Sequence, residues 1–421
     1  MTLLVPQIEF EEHRLDNGLS VLLHRDDRFP LVHVSVHYRV GSSYEKMGRS
    51  GFAHLFEHMM FQGSENIEAN EHGEYIDNAG GAWNASTSKD RTNYHETVPS
   101  NYLDLALWLE ADRMRSLKVT QENFENQRQT VIEEKKQSYD NRPYGLSYLR
   151  FDELAYGNWA YAHSIIGSVE DLEKSNLEDA LYFHRTYYGP GNAILILSGD
   201  IGNEVLGQVN NYFAGITDQT NPELPDLSEP RQKEAKLETL KDPLAPLTAV
   251  SIGYHMDAAG TPEYYALSVL AFILAQGESS RLYRLLVHDN NWVTSLSVGP
   301  NQYKGPQLFE LWLQLQNGAE KEIILKTLEE ELGKICENKV LDQELEKARN
   351  QIAFNFINRL SKVSQVGELL AYYALYYGNA EMVNRDLARH LEVGQDHIIE
   401  AAQKVFRNEN RTLLLVEPGQ Q

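Results

Sequence analysis

Apolar and polar residues alternate along the first part of the chain, and the period then lengthens. Residues 8–24 read as a β-hairpin, because Asp16-Asn17-Gly18 is a tight-turn sequence between two alternating segments, the second running from Leu19 to His24. Another alternating run, Leu31 to Tyr38, puts Val32, Val34, Val36 and Tyr38 on one face and His33 and His37 on the other. That other face is polar, so the two histidines are expected to be structural or exposed rather than ligands. After a turn at Gly41-Ser42-Ser43, the stretch from Gly51 to Gly63 is predicted helical, since good helix formers fill it with no Pro or Gly between its end glycines. Residues 74–98 predict a helix ending at Gly80-Gly81 and then two short strands rich in Thr, Ser, Asn and Tyr. Strands with so few large apolar groups suit a sheet edge, and equally an ordinary exposed hairpin.

Two amphipathic helices follow, from Asn101 to about Ser116 on Leu103, Leu107, Trp108 and Met114, and from about Gln121 to Tyr139 on Phe124, Val131 and Ile132. Further helices are expected through residues 144–187, and Asn192 to Asp200 reads as a buried strand. Residues 216–236 then break the pattern. Asn221-Pro222-Glu223-Leu224-Pro225-Asp226-Leu227-Ser228-Glu229-Pro230 has three prolines and no helical period, so it is read as a linker.

Beyond the linker the first half recurs. Pro30 to Tyr38 is echoed by Pro246 to Tyr254, Phe61-Gln62-Gly63-Ser64 by Ala275-Gln276-Gly277-Glu278, and Phe124 to Val131 by Leu345 to Ile352, with Arg128 matching Arg349. Each half ends on an apolar strand, the second being Thr412 to Val416. The chain is therefore expected to be α+β, with two homologous repeats, each a mixed or antiparallel sheet with helices packed on it: residues 1–215, a linker over 216–236, and residues 237–421.

A length of 421 residues agrees with two or more domains, and 42% hydrophobic with 24% charged residues is an ordinary globular balance. No apolar run reaches the length of a membrane span. Met1-Thr2-Leu3-Leu4-Val5-Pro6 lacks the basic start and apolar core of a secretory leader, so a cytoplasmic location is expected; a periplasmic protein whose export signal had been removed would read the same. Cys336 is the only cysteine, which excludes an intrachain disulfide and a thiolate metal cluster, leaving His and carboxylates to hold any metal. A net charge of −23 argues against nucleic acid and anionic membranes as partners.

The candidate chemistry lies in His54-Leu55-Phe56-Glu57-His58. On a helix, His54 and His58 project from one face a turn apart and can reach one cation, while Glu57 can border that ion without binding it. A zinc hydrolase needs such a pair of nitrogen ligands, an open position for water and a carboxylate base. The arrangement is H-x-x-E-H, the reverse of the commoner H-E-x-x-H. Chance alone supplies it in roughly a few per cent of such chains, but the repeat speaks against chance. Setting Gln62 on Gln276 (276 − 62 = 214) puts Ser268, Ala271 and Phe272 where His54, Glu57 and His58 stand, so the second copy has the scaffold without the site. Met59, Met60 and Phe61 could line a side-chain pocket, although core packing suits them better. No Gly-rich phosphate loop, G-x-S-x-G elbow or basic nucleic-acid patch competes.

With Gly80-Gly81, Asn84-Ala85, Leu109-Glu110-Ala111-Asp112-Arg113-Met114 and Tyr187-Tyr188-Gly189-Pro190-Gly191-Asn192, the box resembles the pitrilysin/insulinase-type (M16) zinc peptidases over nearly the whole chain. The resemblance implies a third zinc ligand from a helix some seventy residues on, in Gln127-Arg128-Gln129-Thr130-Val131-Ile132-Glu133-Glu134. It aligns Glu134 with that ligand (134 − 58 = 76), with Glu133 as the near competitor, and puts Gln127 where many relatives carry a supporting Glu. It further implies Glu57 as the base, peptides bound as an added strand along Asn84 and Ala85, and four fold units enclosing a chamber. This chain holds two such units, so a second M16-like chain is expected, identical or a metal-free homologue. That partner could supply the Arg/Tyr pair that holds substrate in relatives, since the pair has no match here. The alternatives are the catalytic subunit of a heteromeric maturation peptidase and a non-catalytic assembly subunit.

Overall fold

The structure, a computed structural model, describes residues 6–218 and 220–419. The N-terminal reading rests mostly on residues 1–5, which lie outside the described residues. The first sheet comprises β1 (Glu11–Arg14), β2 (Ser20–Arg25), β3 (Leu31–Tyr38), β4 (Ala82–Thr87), β5 (Thr92–Pro99) and β6 (Ala193–Gly199), in the order β1-β2-β6-β3-β5-β4. The second comprises β7 (Lys236–Asp242), β8 (Ala249–Met256), β9 (Val293–Pro300), β10 (Gln307–Leu315) and β11 (Arg411–Pro418), in the order β7-β11-β8-β10-β9. Starting from β2, the two orders match strand for strand. Even the single parallel pairing recurs, β2 with β6 and β7 with β11, so the internal repeat is one of topology as well as sequence. The fold is α+β, and β1 has no counterpart among the described residues of the second sheet.

Five helices of the first half matter to the site: α1 (Phe52–Met59), α2 (Glu71–Asn78), α3 (Leu103–Ser116), α4 (Gln121–Lys135) and α5 (Gly145–Ala155). Helix α1 is shorter than its sequence suggests. The chain turns after Met60 and reaches Gly63 at φ +95°, where a Cβ would stand 2.9 Å from the Ile67 carbonyl. Helix α4 begins on a capping box between Thr120 and Asn123. It runs on from Lys135 through a wide π-type turn, closed by Asn141 N–H donating to the Lys136 carbonyl at 2.8 Å.

One face of the first sheet forms a core in which Val32, Val34, Val36 and Tyr38 meet Leu55, Phe56 and Met59. Met59 and Met60 are buried there, while Phe61 is half-buried with its ring 5.0 Å from that of Trp83. On the other face of β3, the two histidines take the structural rather than the exposed arm of the sequence reading. His33 and His37 are each 1% exposed, because the helix Val363–Tyr376 of the second half lies across them. Gly367 of that helix sits against the His33 ring, and Glu368 reaches both imidazoles, at 3.5 Å from His33 Nε2 and 3.4 Å from His37 Nε2. The polar pattern there marks a seam between the halves. The exchange is mutual: α5 packs on β7 and β11, with Phe151 against Gly253 and Arg150 bound through Nε and Nη2 to Glu238. The described residues of the 216–236 segment are irregular up to β7 but tied down, since Glu229 accepts hydrogen bonds from Gly157 N–H (2.7 Å) and Asn158 N–H (3.1 Å).

Candidate metal centre

Helix α1 lies on the first sheet with Leu55, Phe56 and Met59 inward, which turns His54, Glu57 and His58 to its partly exposed side. The two imidazoles meet edge to face with ring centres 4.9 Å apart. Helix α4 crosses α1 and delivers Glu134, whose Oε1 lies 3.6 Å from His54 Nε2 and whose Oε2 lies 3.3 Å from His58 Nε2. Donor atoms of all three side chains lie within 4.8 Å of one another. Two neutral nitrogens and one carboxylate oxygen at such separations fit a tetrahedral zinc ion and leave one position open. Glu133 does not join them: it is exposed and paired with Lys136 at 2.6 Å. One residue turns a helical side chain by about 100°, and burial of Val131 and Ile132 fixes which of the two glutamates faces inward.

The electrostatics follow from this geometry. Burial pushes the His54 imidazole down to about 4. For His58 burial acts the same way, but the hydrogen bond and charge of Glu134 outweigh it and hold this ring above its ordinary value. Glu134 is correspondingly lowered by its hydrogen bond to His58. The carboxylate is nearer His58 than His54, so it favours the charged form of His58 more strongly. Gln127, two turns before Glu134 on α4, also bears on His58 and favours its charged form. His54 Nδ1 is buried with no hydrogen-bond partner among the described residues, so packing holds that ring. Zinc affinity should therefore fall as pH drops through the raised titration of His58, with His58 taking up the competing proton while His54 stays neutral. Competition with a chelator across this range measures it; an affinity flat with pH would contradict the assignment.

Glu57 stands next to His58 on α1, with Thr87 of β4 at its carboxylate. Burial raises its pKa, opposed by the Thr87 hydrogen bond and the charge of His58. A carboxylate raised toward the working pH beside a cation site is suited to taking and releasing a proton. Neither Thr87 nor Arg91, whose charge also reaches Glu57, carries a sequence mark of its role.

Strand β4 is the outer edge of the first sheet. Its turn closes with Ser88 N–H donating to the Arg91 carbonyl at 2.8 Å. Counting alternately from there, Ser86/Asn93 and Asn84/His95 exchange the ladder bonds, and the backbone groups of Trp83, Ala85 and Thr87 point to the open side. The side-chain Oδ1 of Asn84 accepts the outward Ala85 N–H at 2.9 Å. Asn84 and Ala85 thus differ in kind: Ala85 carries the outward-facing backbone groups, and the Asn84 side chain covers its N–H.

A second cluster of potential ligands, His72, Glu96 and Glu110, is fully buried. It is closed around Arg113, which bonds Glu110 and lies 4.5 Å over the Tyr94 ring. Burial keeps His72 well below and Glu96 well above their ordinary values, so both are neutral and the guanidinium is the resident cation. The Leu109–Met114 motif is thereby accounted for as structure. Its Asp112 accepts from Ser64 Oγ (2.5 Å) and Asn66 Nδ2 (2.7 Å), fixing the loop after α1.

A family model described as Insulinase (Peptidase family M16) matches residues 20–167, and one described as Peptidase M16 inactive domain matches residues 174–352. The chain belongs to the M16 peptidase family. Among M16 relatives, zinc protease PqqE of Helicobacter pylori is 29% identical over 413 residues, covering 97% of this chain and 93% of that protein. Mitochondrial-processing peptidase subunit beta of Bos taurus is 23% identical, covering 97% and 84%. A crystal structure of a protease from Helicobacter pylori superposes with a TM-score of 0.93 at 29% identity, covering 98% of this chain and 100% of that one. The first half of the periplasmic protease PqqL from Escherichia coli shares the M16 fold, with a TM-score of 0.78 at 17% identity, covering 98% and 93%.

Proposed function

We propose that this chain is a zinc-dependent endopeptidase that cleaves small or unfolded peptides bound as an added strand on β4, in a chamber completed by a second M16-like chain. The convergence of His54, His58 and Glu134 from two helices, with Glu57 beside them, carries this reading. A zinc ion held there supplies a Lewis acid for the scissile carbonyl and brings a water's pKa to about 7. His54, His58 and Glu134 hold the site, and Glu57 accepts the proton of the attacking water and passes it to the leaving amine. The peptide backbone pairs with Ala85 after the Asn84 side chain swings off that N–H, so main-chain bonds supply affinity with little sequence preference.

Two copies of the fold make about half of a closed chamber, hence the second chain, identical or metal-free. The likeness to a mitochondrial-processing peptidase beta subunit supports a second reading, the catalytic subunit of a heteromeric maturation peptidase. No helix among the described residues is long and apolar enough to cross a membrane, and the single cysteine suits the periplasm as well as the cytoplasm. Metal analysis with size measurement, followed by incubation with unstructured peptides, tests the proposal. The expected result is one zinc per chain, a dimer and internal cleavage abolished by chelation. Zinc-loaded protein that cleaves only after a second protein is added would favour the heteromeric reading. Protein that takes up no zinc would end both.

A further inference from the structure

Helix α1 starts at Gly51, whose φ of +91° and close approach to the Ile166 carbonyl leave no room for a side chain. The helix therefore lacks the usual capping residue for its first N–H groups. Glu45 does that work from a loop: its Oε2 accepts Gly51 N–H at 2.9 Å and its Oε1 accepts Ala53 N–H at 2.7 Å, at the positive end of the helix. This carboxylate is fully buried and is held by His163 Nε2 at 3.1 Å. The carbonyl of His163 in turn accepts from Lys89 Nζ at 2.5 Å. Lys89, 1% exposed, also donates to the Tyr161 carbonyl and pairs with Asp152, each at 2.9 Å.

Lys89 and its neighbour Asp90 form the turn between β4 and β5. The Glu45 loop is seated on the same turn, with Ser42 N–H on the Ser88 carbonyl and Ser43 N–H on the Lys89 carbonyl. A Cβ on Gly41 would stand 2.3 Å from the Ser88 oxygen, so the approach is backbone to backbone. Asp90 is buried with no ion-pair partner among the described residues. Neutral donors hold it: the Tyr161 hydroxyl at 3.0 Å, the Ser43 hydroxyl at 3.4 Å, and Lys304 N–H at 2.8 Å. The Tyr161 oxygen accepts Gly305 N–H at 2.7 Å, and a Cβ at Gly305 would touch that ring. Lys304 and Gly305 belong to the loop between β9 and β10, in the half that has no metal ligands.

We propose that Glu45 and Tyr161 are positioning residues of the metal site, through which the 301–306 loop of the second half holds both the first turn of α1 and the β4 edge in register. The proposal rests on the zinc-peptidase reading for its effect on catalysis, but its effect on α1 does not need a metal. Breaking the chain of contacts at either end leaves a buried carboxylate or N–H unpaired, which costs more than the bond itself contributes. Glu45 acts at α1, so its loss should misaim His54 and lower kcat. Tyr161 acts at the turn that carries β4, so its loss should displace the edge and raise KM.

The test compares Glu45→Gln, Tyr161→Phe and, as a control, Tyr265→Phe, which removes a like tyrosine–aspartate bond (to Asp386, 2.8 Å) between two helices of the second half. Three readouts are taken in the full-length chain below its melting temperature: kcat and KM on an unstructured peptide, the visible spectrum of the cobalt(II)-substituted protein, and amide hydrogen exchange over residues 51–55. Glu45→Gln should speed exchange and lower kcat by about tenfold or more, with shifted cobalt bands. Tyr161→Phe should raise KM by a similar factor, and the control should match wild type in all three. If the first two variants lose only melting temperature, like the control, the positioning role is refuted. Should Glu45→Gln fail to accumulate folded, His163→Gln, which loses the Nε2 contact to Glu45 and the Nδ1 bond to the Trp159 carbonyl but leaves both Glu45–helix bonds in place, is judged by the same exchange. A wild type that neither binds metal nor cleaves would overturn the peptidase reading alone, and the exchange experiment on metal-free protein would still decide this one.

Discussion

Glu57→Gln is expected to abolish peptide cleavage while zinc stays bound at one equivalent per chain. The amide keeps the size of the carboxylate and its place beside Thr87, and it removes the one group that can accept the water's proton. Loss of a general base typically costs about 10²- to 10⁴-fold in rate, and His54, His58 and Glu134 are untouched. Burial raises the Glu57 pKa, so wild-type activity should rise with pH as this base ionises. The variant's residual rate should lack this limb. Zinc content by mass spectrometry and kcat from peptide assays decide the matter; a fully active variant would remove Glu57 from the mechanism.

The second large effect separates adjacent glutamates. Glu134→Ala should weaken zinc binding by more than the roughly 10- to 100-fold that loss of a supporting contact costs, because an ion ligand itself is removed and two imidazoles are left to hold a divalent cation. Glu133→Ala removes an exposed pairing with Lys136 and should change stability by about 0.5 kcal/mol or less, with zinc affinity unchanged. Equal effects of the two substitutions would mean that α4 presents a different face to α1.

Much of this was legible in the residues because the information is local. The Asn17-Gly18 turn, the alternation of β3 and the fourfold spacing of His54 and His58 depend on backbone periods that hold whatever surrounds them. The repeat was legible too, since two copies of one pattern need only be compared, and the matching strand orders reflect it. Periodicity says which side chains share a face, but not what covers that face. For His33 and His37 this gap mattered: a polar stripe reads equally as structural or as exposed until a helix from residues more than 300 positions later is found lying on it.

The sequence by itself thus determined the elements, the doubled architecture, and the pair of imidazoles with a carboxylate beside them, because each follows from spacing along one strand or helix. Only the tertiary structure decided that Glu134 and not Glu133 turns toward those imidazoles. It also decided that Asn84 covers the Ala85 N–H, and that Glu45, held by His163, caps the helix that carries both histidines. Those outcomes depend on the angle at which separate elements meet, and the packing of apolar side chains between them sets that angle.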